Sequence, residues 1–239
     1  MIINMKKYLS LLIIALLLPL TAAAQNGASE TKEAYCIFYG STLTFYYDSK
    51  GDTRLGQKYE ADLSVSSLNY TNWCNEHAND IFMVVFDNSF ADFRPKSTKY
   101  WFSGLNRLMS IVGIENLNTS EVTFMTSMFS NCFDLTTLDL SGFDTRKVTD
   151  MTAMFYKCTG LTTIFVGDGW NTDKVTKSVN MFGNCEKLVG GQGTTFDETH
   201  VDKAYAHVDG GTANPGYLTK ASTPPYAVYI NQNSTTMKK

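Results

Sequence analysis

Several of the side chains best suited to chemistry lie in one short, sulfur-rich segment. In VTDMTAMFYKC, the residues Val148, Met151, Met154, Phe155 and Cys158 follow one another at intervals of three, three, one and three positions. This is the spacing of one helix face. A polarisable face that ends in a thiol could bind a soft metal or react as a nucleophile. It could equally be the buried side of a scaffold helix.

A second group surrounds Cys74 in the segment YTNWCNEHANDIF. Cys74 and His77 have the spacing of two zinc ligands, but a site needs four, and the chain has no C-x-x-C or H-x-x-x-H pair. Pairing Cys74 with His200 or His207 would give a nucleophile and a base, yet no catalytic signature surrounds the cysteine. A Cys36–Cys74 disulfide is favoured over both, and no metal or other cofactor is predicted.

Residues 1–24 predict a secretory signal peptide. Lys6 and Lys7 precede an apolar stretch from Leu9 to Leu20 and the small residues Ala22 to Ala24. The stretch is shorter than the ~20 apolar residues that cross a bilayer, so no membrane span is expected after cleavage. With 44% hydrophobic and 18% charged residues, the chain should fold, and its net charge of -3 argues against nucleic acid.

A repeat organises the middle of the chain. LNTSEVTFMTSMFSNCFDLTTLDLSG is followed by FDTRKVTDMTAMFYKCTGLTTIFVGDG and WNTDKVTKSVNMFGNCEKLVGG, and a divergent copy precedes them, which gives about four coils over 82–189. Because its cysteine recurs in each copy, the sulfur-rich segment is interpreted as stacked core. The acceptor sequence at Asn118 is interpreted as a turn of the repeat. Each coil is predicted to contain a short strand, a polar turn and a helix whose N-caps are Thr123, Thr149 and Thr176.

The repeats resemble those of the BspA-like leucine-rich-repeat surface proteins of bacteria, in the subgroup whose 26-residue repeat is shared with mycoplasma surface lipoproteins. LDLSGFDTRKVTDMTAMFYKCTGLTTI carries the resemblance, which covers roughly residues 35–219. It implies an α/β leucine-rich-repeat solenoid of about four strand-turn-helix coils with one strand ribbon. It also implies a surface or secreted location and a role in adhesion. The expected parts are a cap region (25–81), the array (82–189), a C-terminal cap (190–220) and a tail (221–239) resembling the start of a truncated second module.

The predicted strands offer a candidate binding row. If Val85 and its equivalents in the other coils face the core, the next residue of each strand faces outward, which gives Phe86, Val112, Asp139 and Phe165. Three of these four are apolar, and repeat arrays commonly bind through such continuous faces. The alternative is that the N-terminal segment folds over the row and covers it.

The sequence therefore predicts a monomeric, non-enzymatic protein, secreted or at the cell surface, that binds an extracellular protein or a glycan. Retention in the periplasm after export stays open. One alternative is a structural spacer, or the truncated remnant of a larger surface protein, with no specific ligand. Another is a hydrolase or metal enzyme that uses Cys74 and the histidines.

Overall fold

The computed structural model describes residues 31–60 and 71–222, and most of their regular structure is β-strand. The strands are β1 (Glu33–Tyr39), β2 (Thr42–Asp48), β3 (Gln57–Glu60), β4 (Met83–Phe86), β5 (Ser110–Val112), β6 (Thr137–Leu140), β7 (Thr163–Val166) and β8 (Leu218–Lys220). One α-helix occurs in the described residues, α1 (Asn72–His77). Short 3-10 helices span Gly51–Thr53, Asn88–Asp92, Ile114–Asn116, Lys203–Tyr205 and Gly211–Ala213. The predicted signal peptide and the tail from residue 223 lie outside the described residues.

The first sheet joins the N-terminal hairpin to the first repeats, in the strand order β3-β1-β2-β4-β5. Strands β1 and β2 are rich in aromatic and β-branched side chains, which favour strands. They are antiparallel and meet at a two-residue turn where Gly40 has a φ of 63°, which glycine adopts without a steric penalty. Because β2 pairs in parallel with β4, the hairpin extends the sheet sideways.

The second sheet contains three parallel strands in the order β6-β7-β8. Strands β6 and β7 come from consecutive repeats and pair Leu138 with Ile164, whereas β8 comes from the closing segment, residues 190–220. Among the described strands, β5 and β6 are not hydrogen-bonded to each other. The single strand ribbon expected from the resemblance is therefore divided into two sheets.

The predicted α/β leucine-rich-repeat solenoid of strand-turn-helix coils is wrong. The described residues form two β-sheets with short 3-10 turns, and the repeats do not close into a solenoid. The one described α-helix, α1, precedes the array. The segment Val148–Cys158, which has the spacing of a helix face, consists of an isolated bridge and turns.

Backbone hydrogen bonds explain why helical spacing does not produce a helix here. Four alternate N–H groups of this segment donate to carbonyls of the next repeat at 2.7 to 3.0 Å, those of Met151, Ala153, Phe155 and Lys157. Between them, the N–H of Met154 closes a turn onto Met151, and that of Cys158 closes one onto Phe155. Ala153 and Lys157 have φ values of 54° and 59°, as the third residue of a type II turn requires. The first and last residues of each turn, which are three positions apart, both face the core, and this spacing resembles that of a helix face.

Side chains from successive repeats stack to form the core. Four phenylalanine rings form a column with centroid separations of 5.4, 5.8 and 5.5 Å, from Phe102 through Phe129 and Phe155 to Phe182. Phe45 covers one end of the column at 6.0 Å, and Tyr217 covers the other at 5.2 Å. All five residues of the sulfur-rich face are fully buried, so their interpretation as core is confirmed.

Candidate binding face

The outward side chains of the strands form the best candidate site, which we call the outer strand face. In the first sheet, Val85 lies opposite Val112. In the second, Phe165 lies between Asp139 and Thr219. Burial alternates along β4, β6 and β7, which places these side chains on the side of each strand that faces away from the core.

The predicted member Phe86 faces the core instead, so its assignment to the outward row is wrong. The sequence alignment matched Val85 with Ile111, but the strands pair Val84 with Ile111. A slip of one residue moves a strand side chain to the opposite face of the sheet. Phe86 is 2% exposed and stacks on Phe45 with ring centroids 4.8 Å apart, and Val85 takes the outward position.

The most exposed apolar part of this surface lies on the first sheet. Val112 is 51% exposed, and Met109, directly before β5, is 61% exposed. Met83 of β4 is also exposed and lies opposite Ser110 of β5. The described N-terminal strands continue the sheet beside β4, and Val112 stays open to solvent. Over the described ranges, the alternative that they cover this row is therefore not observed.

The second sheet adds one carboxylate to the outer strand face. Asp139 lies opposite Phe165, and its Oδ1 accepts the N–H of Ser141 at 2.9 Å, which fixes the side chain at the end of β6. Asp139 and Phe165 are both partly exposed. The face thus combines apolar surface with an acidic hydrogen-bond acceptor.

The structure contradicts the predicted Cys36–Cys74 disulfide, because both cysteines are free and buried. The Cys74 thiol donates to the carbonyl oxygen of Trp101 at 3.2 Å, an acceptor that the indole N–H of Trp73 also uses. Burial raises the pKa of the Cys74 thiol to about 12 and that of Cys36 well above its usual value. Because the thiolate is the nucleophile, these two thiols are poor candidates for catalysis at neutral pH.

The histidines considered as partners of Cys74 make other contacts. His77 stacks on Phe38 with centroids 3.8 Å apart. His200 and His207 lie in the closing segment, where their ring nitrogens approach a carboxylate and a backbone carbonyl. Residues 31–60 and 71–222 contain no group of three or more side chains able to hold a metal ion. No helix within these ranges has the length and apolarity needed to cross a membrane.

The polar signature residues of the repeat connect one repeat to the next. The Thr145 hydroxyl donates to the carbonyl of Asn171 at 2.7 Å and accepts the N–H of the same residue at 2.6 Å. Thr119 makes the same pair of contacts with Asp144, at 3.1 and 2.8 Å. Asn118 accepts the N–H of Ser120, which confirms its interpretation as a turn residue.

Sequence reasoning missed Asp209, the most highly coordinated carboxylate of the closing segment. Its Oδ2 accepts the N–H groups of Gln192 and Thr194 at 2.7 and 3.0 Å. Its Oδ1 accepts the Thr194 hydroxyl at 2.7 Å and the N–H of Gly211 at 2.9 Å. Burial alone would raise the pKa of Asp209, but these hydrogen bonds outweigh it and hold the pKa well below its usual value. The only sequence signal was an aspartate next to two glycines, which is typical of many turns.

Comparison with known families identifies the repeats only in part. Residues 96–214 match the sequence model of a family described as "Mycoplasma protein of unknown function, DUF285". Searches of curated proteins and of solved structures gave no significant match. The match agrees with the mycoplasma part of the sequence resemblance, and the leucine-rich-repeat part is not supported.

Proposed function

We propose, from the mycoplasma-type repeat over 96–214 and the exposed outer strand face, that this is an exported, non-enzymatic surface protein that binds a protein ligand. The observation that carries the proposal is the exposure of Val112 on β5 and of Met109 directly before it, where the backbone is fixed by pairing with β4 and by the hydrogen bond from the Met109 N–H to the Phe82 carbonyl at 2.9 Å. An exposed apolar side chain on a rigid strand indicates a partner-binding surface more strongly than an exposed apolar side chain on a flexible loop.

The pattern across repeats supports the same function. Positions that face the core keep their residue types, as the phenylalanine column and the repeated cysteines show. Positions on the outer strand face change from valine to aspartate, phenylalanine and threonine along the array. A structural scaffold requires similar core residues in each repeat, but it does not require apolar side chains on its solvent-exposed surface. The variable outer positions are therefore the ones at which a ligand can be selected.

A protein ligand fits this face better than a glycan does. Val85, Val112 and Phe165 offer apolar surface, and Asp139 is the single charged group among them. Buried apolar contact with a few polar groups is typical of the centre of protein interfaces. The hydroxyl side chains of Thr137, Thr163 and Thr219 lie on the same side of these strands and are suited to hydrogen-bond a glycan, so the test includes glycans as the alternative ligand.

The test screens the purified protein against one array of extracellular proteins and one array of glycans. A double variant, Val112→Ser with Phe165→Ser, should weaken binding to a protein hit by at least about tenfold, since central apolar contacts contribute most of the binding energy. The matched control is Val179→Ser, because Val179 is 67% exposed but lies on the turn side of the repeat. The control should bind like wild type.

The other outcomes separate the competing functions. A hit confined to the glycan array that depends on Val112 and Phe165 would replace the protein ligand with a glycan. A hit that both variants retain would remove the outer strand face from the proposal. The absence of any hit would favour the structural spacer, which is consistent with an aromatic column covered at both ends by Phe45 and Tyr217.

A further inference from the structure

The five cysteines of the chain lie in one buried row through the core. Cys132, Cys158 and Cys185 occupy the same position in successive repeats, and all five residues belong to one apolar cluster. Burial raises the pKa of these thiols, and a neighbouring cysteine raises it further in three cases. Cys74 raises the pKa of both Cys36 and Cys132. Cys132 and Cys185 raise the pKa of Cys158.

The thiols of the three clear repeats make the same hydrogen bond. Each donates to the carbonyl of a phenylalanine in the preceding repeat, and the three distances are 3.2, 3.0 and 3.0 Å. The carbonyl of Phe129, for example, accepts both the thiol of Cys158 and the N–H of Cys132 at 3.2 Å. Neighbouring cysteines are therefore close, but their thiols point toward the backbone rather than toward each other.

A disulfide within this row conflicts with the native contacts. To bond to Cys132, the sulfur of Cys158 would have to leave its acceptor on Phe129, and both side chains would have to turn toward each other. Cys132 would likewise give up its contact with Phe102. Both sulfurs would then lose the protons that they donate, in a core where side chains are closely packed.

We infer that the cysteine row makes folding of this protein depend on redox state: the native fold forms only while all five thiols are reduced, and it then shields them from oxidation. This property does not depend on the identity of the ligand. It applies to every compartment in which the unfolded chain meets a disulfide oxidant.

The reaction of the thiols with a disulfide oxidant differs between the unfolded and the folded chain. In the unfolded chain the thiols are exposed and ionise with an ordinary pKa of about 8.5. One thiolate attacks glutathione disulfide and releases one glutathione; a second cysteine thiolate attacks the mixed disulfide and releases the other. The two cysteines lose two protons and two electrons, and one glutathione disulfide becomes two glutathione molecules. In the folded chain, burial keeps the thiols protonated and out of reach of the oxidant.

The experiment compares refolding with and without the oxidant. Purified protein is unfolded in urea with a reductant, desalted, and diluted into reduced glutathione or into glutathione disulfide. In the reduced buffer it should regain its circular dichroism and its cooperative thermal transition. In the oxidised buffer it should form disulfides visible by mass spectrometry and lose both signals, and reductant should restore them. Protein folded first should keep five free thiols, and these should react with a thiol reagent more than about a thousandfold more slowly than in urea.

The matched variant replaces all five cysteines by serine, which keeps a small hydrogen-bond donor at each position. It should refold equally well in both buffers. If it does not fold, the thiol reactivity of the folded wild-type protein still decides the question. The inference would be overturned by a disulfide-bonded protein with the native spectrum and melting temperature, or by thiols that react as fast in the folded protein as in urea.

Discussion

The substitution Asp209→Asn, which replaces one carboxylate oxygen by an amide group, should strongly reduce the free energy of unfolding. Asp209 is 4% exposed, and its two oxygens accept separate sets of donors. An asparagine side chain can keep an oxygen toward one set only. If its oxygen faces Gly211 and the Thr194 hydroxyl, its amide group faces the N–H groups of Gln192 and Thr194, which then lose their acceptor.

The expected loss follows from these two donors. A buried donor left without a partner costs about 1–3 kcal/mol, so two of them give a destabilisation of about 2–6 kcal/mol at pH 7. Urea unfolding of both proteins measures this difference. Amide exchange at Gln192 and Thr194 should also accelerate more than at Phe129, because the closing segment loses its fixed geometry first. The matched control is Asp202→Asn, since Asp202 caps a 3-10 helix through one exposed contact and asparagine is an equivalent cap.

The same variant has a predicted pH dependence. The folded-state pKa of Asp209 lies below the unfolded value of about 3.9, so its contribution is complete above that value. As pH falls below about 4, the unfolded chain binds the proton first and the contribution is lost. The stability gap between wild type and Asp209→Asn should therefore narrow between pH 5 and pH 3. A gap below about 0.5 kcal/mol at pH 7, which is the size of an ordinary surface effect, or a gap that does not change with pH, would refute this reasoning.

Three further predictions concern the repeats. Lys157→Asn should raise the free energy of unfolding by about 0.5–1 kcal/mol, because asparagine tolerates the positive φ at this turn better than lysine does; a lower urea midpoint would contradict this. Phe155→Ala should lower it by about 3–5 kcal/mol by interrupting the aromatic column, and a thermal transition within a few degrees of wild type would argue against a continuous column. Thr145→Val should cost about 1–3 kcal/mol because Asn171 loses both contacts with the hydroxyl, whereas Thr145→Ser should keep most of the stability in the same denaturant series.

The repeat and its buried residues could be read from the sequence because both depend on residue type and period. Val148, Met154 and Cys158 have the same residue type at the equivalent positions of the clear copies, and they are fully buried. Their local conformation could not be predicted in the same way, because a series of four-residue turns and a helix both direct side chains into the core with similar spacing. A signal that separates the two was present: Gly104, Asn131, Lys157 and Asn184 share one repeat position, and glycine and asparagine favour the positive φ found there.

The outward orientation of the strand side chains was predicted for Val112, Asp139 and Phe165 but not for the first strand of the array. Asp139 and Phe165 lie in the clear copies, and both have the predicted outward orientation. Phe86 lies in the divergent copy, where an alignment error of one residue reverses the side of the strand. Asp209 could not be found at all, because its role depends on five donor groups brought together by the folded closing segment.

The cysteine row and the proposed export of the protein constrain each other. A disulfide-forming compartment normally stabilises small exported domains through their cysteines, but here each sulfur of the clear repeats is used as a hydrogen-bond donor to the backbone. Oxidation therefore competes with folding instead of assisting it. Secretion of this chain is productive only if folding is faster than oxidation, or if the receiving compartment lacks an efficient disulfide catalyst. Co-expression with such a catalyst in the compartment of export should lower the yield of native wild-type protein, while the five-serine variant should be unaffected.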